Sequence, residues 1–92
     1  MEPDGPETRP LLTFPTSFPI KVMGRREEGY AQAILEVVLR HAPDYDPATM
    51  EMRPSKAGTY LSLTITITAR SREQLDALYQ DLSGHPMVTM VL

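Results

Sequence analysis

Gly24, Arg25 and Arg26 are the residues best suited to chemistry in this chain, because they place two guanidinium groups and a glycine backbone directly behind an alternating apolar stretch, with Gly29-Tyr30 shortly after. Exposed backbone N–H groups and a forked cation are what an anion-binding loop requires. Hydrolysis of an acyl phosphate on such a loop needs a further group, an asparagine that orients the attacking water. The chain contains no asparagine. What remains for Gly24, Arg25 and Arg26 is the binding of a small anion, in competition with Glu27 and Glu28, which occupy the positive end of the helix that follows.

The other reactive side chains are scattered. There is no cysteine, which removes disulfides, thiolate metal sites and cysteine nucleophiles. His41 belongs to a last helical turn and His85 to a turn beside Gly84, with no second ligand at useful spacing. Asp44 and Asp46 lack the glycine and the distal glutamate of a calcium loop, so they are expected to make a turn. Ser71 has no base nearby and is better placed as a helix cap. These readings assign no catalytic residue, no metal and no cofactor, and predict a protein that is not an enzyme. A net charge of −3 and a pI near 5.2 oppose the positive field that nucleic-acid binding requires. The start, Met-Glu-Pro-Asp-Gly-Pro-Glu, lacks the pattern of a secretory signal, and no apolar run reaches membrane-spanning length. The expectation is a cytoplasmic protein that meets neither membrane nor nucleic acid.

The elements that must position these residues are legible from periodicity. At 92 residues the chain holds one core. Residues 1–10 carry three prolines and a glycine but no apolar residue after Met1, which predicts a flexible N-terminal tail ahead of a single domain over 11–92. Leu11, Leu12 and Phe14 lead in among prolines. Phe18, Ile20 and Val22 then alternate with Pro19, Lys21 and Met23 as a strand that Gly24 is expected to end. Ala31, Ile34, Leu35, Val38 and Ala42 mark a helix over 27–42. Tyr30, Val37 and Leu39 lie outside that stripe, a surplus read as available to a partner. A short edge strand is expected around 49–53, before Pro54, and a hairpin turn over 55–59. Leu61, Leu63, Ile65, Ile67 and Ala69 alternate without a break with Ser62, Thr64, Thr66, Thr68 and Arg70. That pattern calls for an antiparallel sheet covered on one side only. Ser71 and Gln74 form a capping-box pattern for a helix carrying Leu75, Leu78, Tyr79 and Leu82, and residues 87–92 close as a strand. The fold class is α+β: a ferredoxin-like βαββαβ two-layer sandwich, a four-stranded antiparallel sheet with two helices on one face.

Acylphosphatases and RNA-recognition domains share this layout. The first are excluded by the missing asparagine, and the second stack bases on sheet-face aromatics, where this chain offers Ser62, Thr64 and Thr66 and only Tyr60 as a ring. Phe14-Pro15, Phe18, Ile20-Lys21-Val22-Met23-Gly24, Arg40-His41-Ala42-Pro43, Pro54-Ser55, Lys56, Gly58, Tyr60 and the stretch from Val88 to Leu92 resemble the YbeD family of small bacterial proteins. The resemblance implies a fold like that of the ACT-type regulatory domains of amino-acid enzymes, and a link to lipoate metabolism. Two functions follow as expectations. One is a non-enzymatic regulatory or ligand-sensing module, dimeric through its sheet edges, with a metabolite near Gly24. The other is an adaptor that binds a partner enzyme through an edge strand or through a face of Lys21, Met23, Arg53, Ser62, Thr64 and Thr66, joined by Val91.

Overall fold

The computed structural model describes residues 13–92; the tail expected over 1–10, with Leu11 and Leu12, lies outside the described residues. In chain order the elements are β1 (Thr16–Arg25), α1 (Tyr30–His41), a 3₁₀ turn (Pro47–Thr49), β2 (Glu51–Pro54), β3 (Tyr60–Ala69), α2 (Arg72–Ser83) and β4 (Val88–Val91). The strands form one sheet in the order β2-β3-β1-β4, with every neighbouring pair antiparallel. β1 and β3 are the long central pair, in register from Thr16 opposite Ala69 to Arg25 opposite Tyr60. The expected two-layer βαββαβ architecture is therefore the observed one.

Alternation explains the core. Ile20 and Val22 of β1 and Leu63, Ile65, Ile67 and Ala69 of β3 are buried on one face, beneath Ile34, Val37 and Val38 of α1 and Leu75, Leu78 and Leu82 of α2. Phe14 and Phe18 pack half-buried against this cluster, and the Phe18 ring meets Tyr79 edge to face with centroids 6.5 Å apart. Tyr30 and Val37 are core residues at 1% and 2% exposure, so the surplus assigned to a partner is consumed by the fold itself. Leu39 also packs half-buried on the core.

Several boundaries move for local reasons. α1 begins at Tyr30 because Gly29 takes a left-handed conformation (φ 84°) and caps it, which leaves Glu27 and Glu28 outside the helix. The residues before β2 form a 3₁₀ turn because Asp46 caps it, its carboxylate accepting from the Ala48 N–H at 3.0 Å. Strand β2 consequently starts at Glu51. The hairpin turn after it closes as expected, with the Gly58 N–H donating to Ser55 at 2.9 Å and Gly58 itself at φ 78°. Ser71 caps α2 by accepting from the Gln74 N–H at 3.0 Å. The return bond of the expected capping box goes one residue earlier, since the Gln74 side-chain oxygen Oε1 accepts from the Arg70 N–H at 2.6 Å. The same side chain donates to the His41 carbonyl at 2.8 Å, tying the end of α1 to the start of α2.

Candidate functional site: the uncovered sheet face

Gly24 lies inside β1 and is buried, whereas the alternating pattern had ended the strand there. A Cβ at this position would stand 2.3 Å from the Met87 carbonyl oxygen and 2.7 Å from the Tyr30 ring. The glycine is therefore required by close packing rather than by a turn. The Tyr30 hydroxyl lies beneath the strand and donates to the Val22 carbonyl at 3.1 Å, and burial pushes its pKa up to about 12. Arg25 is exposed opposite Tyr60 at the end of the ladder. The backbone N–H of Arg26 extends the pairing by donating to Thr59 at 2.8 Å, and its guanidinium reaches toward Gly58. Strand alternation thus sets Gly24 and Arg25 on opposite faces, with Arg26 beside the hairpin turn.

The remaining titratable side chains of the notable motifs have structural partners. His41 meets the Asp81 carboxylate at 2.6 Å, with the Arg40 guanidinium 3.6 Å from the same oxygen. The hydrogen bond from His41, followed by the positive charge of His41 and Arg40, holds Asp81 below the usual carboxylate range. Asp44 pairs with Arg70, and the His85 ring accepts from the Met87 N–H at 3.1 Å. Among the described residues no group of three His, Cys, Asp or Glu comes together. No described helix is long and apolar enough to cross a membrane.

On the side of the sheet away from the helices, polar and charged side chains from three strands come together. The register sets Lys21 against Thr64 and Met23 against Ser62 in the centre, and Arg53 against Ser62 toward the β2 edge. Five of the six residues expected on an interaction face are thus brought side by side; Thr66 lies one step further along, opposite Pro19. Val91 faces the core opposite Val22, and its place is taken by Met90, which pairs with Met23 and is 47% exposed. Two hollows adjoin here. One, of about 210 Å³, is lined by Lys21, Glu51, Met52, Arg53, Ser62 and Thr64. The other, of about 180 Å³, is lined by Met23, Arg53, Pro54, Ser55, Tyr60 and Ser62. Sequence reasoning missed Met90 because β4 shifts register between Met23 and Gly24, so alternation along the last strand could not be phased from the sequence.

This arrangement is a ferredoxin-like fold, similar to that of ACT domains. The solution structure of the ACT domain of GTP pyrophosphokinase from Chlorobium tepidum superposes with a TM-score of 0.62, covering 83% of this chain and 84% of that one at 18% identity. Protein HP0495 from H. pylori gives a TM-score of 0.70 at 13% identity, covering 91% and 88%. Likeness at such identities concerns the fold alone. By sequence the chain belongs to the family described as protein of unknown function DUF493, whose pattern matches residues 9–92, in line with the resemblance carried by Lys21-Val22-Met23-Gly24 and the C-terminal strand. The UPF0250 protein of Leptothrix cholodnii is 57% identical over 97% of this chain and 98% of its own length. A second, from Bordetella pertussis, is 56% identical over 95% and 96%.

Proposed function

We propose that this chain is a non-enzymatic regulatory module that acts by binding a partner protein through the uncovered face of its sheet. The observation that carries the reading is the pair of adjoining open hollows at Arg53 and Ser62, each smaller than the roughly 300–1,000 Å³ clefts that enclose metabolites. Shallow depressions of mixed polarity suit the side chains of a docked protein better than a sequestered small molecule. The ACT-like fold supports a regulatory role, in which the module acts on another enzyme, in the cytoplasm and in connection with lipoate metabolism. A photo-crosslinking amino acid placed at Thr64 should capture a protein in cells, while the same group at Glu36 on the helix layer should not. Equal capture from both positions would sink the reading.

A second reading, a ligand-sensing pair of copies, is favoured by β2. Antiparallel pairing of two β2 edges centred on Met52 sets Glu51 of one copy opposite Arg53 of the other, a self-complementary arrangement. Arg25 and Arg26, flanking the end of β1, are its candidates for holding an anionic metabolite, beside Gly24. Light scattering that finds only monomer at high concentration rejects the pair. A thermal-shift screen of amino acids, lipoate-related acids and phosphorylated metabolites without a hit rejects the ligand.

A further inference from the structure

Charge is sorted between the two sides of this molecule. The helix layer exposes Glu36, Glu73, Asp76 and Asp81 against Arg40 and Arg72, whereas the uncovered sheet face exposes Lys21, Arg25 and Arg53 against Glu51. Among the described residues neither Lys21 nor Arg53 forms an ion pair. A chain with a net charge of −3 thus keeps a cationic face. A second copy laid on it face to face would bring two net-cationic faces together, which disfavours self-association through this surface.

The two hollows sharpen what the face selects. The first has a hydroxyl floor of Ser62 and Thr64 between Lys21 and Arg53, two cations against the single carboxylate of Glu51 on its β2 rim; the second is almost wholly apolar, between Met23, Pro54 and Tyr60. Arg53 and Ser62 form their common wall. Along β1 Lys21 lines the first hollow and Met23 the second, and along β3 Ser62 and Thr64 line the first and Tyr60 and Ser62 the second, so they are offset by two residues on both strands. Two residues of extended chain span about 6.5–7 Å, and side chains at that spacing point to the same side.

We propose that the uncovered face binds an extended segment of another protein that presents an acidic side chain and an apolar side chain two residues apart. The acid enters the Lys21 and Arg53 hollow, and the apolar side chain enters the Met23 and Tyr60 hollow. Methionines recur here, with Met90 beside Met23, and methionine adapts its shape to an apolar partner. Tyr60 is the one aromatic ring among these lining residues, which favours a peptide over single-stranded RNA, since RNA needs successive stacking platforms. This inference rests on the reading of the chain as a partner-binding module.

The test uses the purified full chain and synthetic peptides of threonine and serine carrying one glutamate and one leucine, separated by one to four positions, with binding followed by fluorescence anisotropy. The peptide with the two side chains at i and i+2 should bind most tightly, weaken with added salt, and weaken at least tenfold when its glutamate is replaced by glutamine. Arg53→Glu and, independently, Lys21→Glu should each lower the affinity at least tenfold, and Met23→Ser several-fold, with melting temperatures near that of the parent; Glu36→Ala should leave binding unchanged. Absence of any spacing preference, indifference to Arg53→Glu and Lys21→Glu, or tighter binding of a uridine oligonucleotide would overturn the proposal. Self-association abolished by Lys21→Glu would overturn it as well. If crosslinking from Thr64 still captures a protein while no peptide is selected, this inference fails and the partner-binding reading stands.

Discussion

The two faces of one sheet are built from the same strands and have opposite fates. Ile65 is fully buried under the helices, and its chain neighbour Thr64 lines a hollow on the uncovered side. On the covered face every side chain is constrained by volume, down to a position where only a hydrogen atom fits, at Gly24. On the uncovered face volume is free and charge varies instead, with cations gathered on a chain of net negative charge. The difference separates two kinds of residue: those on the covered face are explained by packing, whereas Lys21, Met23, Arg53 and Met90 are not, and the proposed recognition falls to them.

The comparison breaks first at Ile65. Truncation of Ile65 to alanine should cost about 2–5 kcal/mol in urea denaturation, through lost burial and the cavity left behind. Thr64→Ala, one residue away, should change stability by no more than about 0.5 kcal/mol. Similar losses at the two positions would show that the uncovered face is part of the folding core. Gly24→Ala comes next, at about 1–3 kcal/mol, because the new methyl meets a backbone carbonyl and an aromatic ring that are both held in place; an unaltered denaturation midpoint would mean that β4 and α1 yield there.

A smaller effect tests the tyrosine beneath Gly24. Tyr30→Phe removes the bond to Val22 and should cost about 1 kcal/mol at neutral pH. Because the folded pKa of Tyr30 is raised above the ordinary value of 10.0, its contribution is full below that value and lost as pH rises through it toward about 12. The parent should therefore lose stability faster than Tyr30→Phe over that alkaline window in thermal melts. The smallest effect belongs to the exposed Asp81. Its pKa is lowered, so its contribution is present above the ordinary carboxylate value and disappears as pH falls through the folded value. The difference in melting temperature between parent and Asp81→Asn should shrink in acid and in high salt.

The uninterrupted alternation from Leu61 to Ala69 fixes a half-covered antiparallel strand, because side chains on a strand must point to opposite sides in turn. Ser62, Thr64 and Thr66 were legible on the uncovered side for that reason, and Lys21 and Met23 from the shorter alternation of β1. The boundary at Gly24 was misjudged because a glycine in a strand looks the same in sequence whether it turns the chain or makes room for a ring. Tyr30 and Val37 were misjudged because a twelve-residue helix on a sheet, with a second helix beside it, buries a wider stripe than the spacing of its strongest apolar residues indicates.

The order of elements, the capping of α2 by Ser71 and the polarity of the two sheet faces were determined by sequence alone, since each depends on neighbours no more than a few residues apart. Only the tertiary structure decided that Arg53 of the edge strand stands beside Ser62, that Met90 rather than Val91 joins Met23, and that Gly24 shelters the Tyr30 ring. These juxtapositions depend on strand register and on the approach of segments distant in the chain. No local periodicity encodes them.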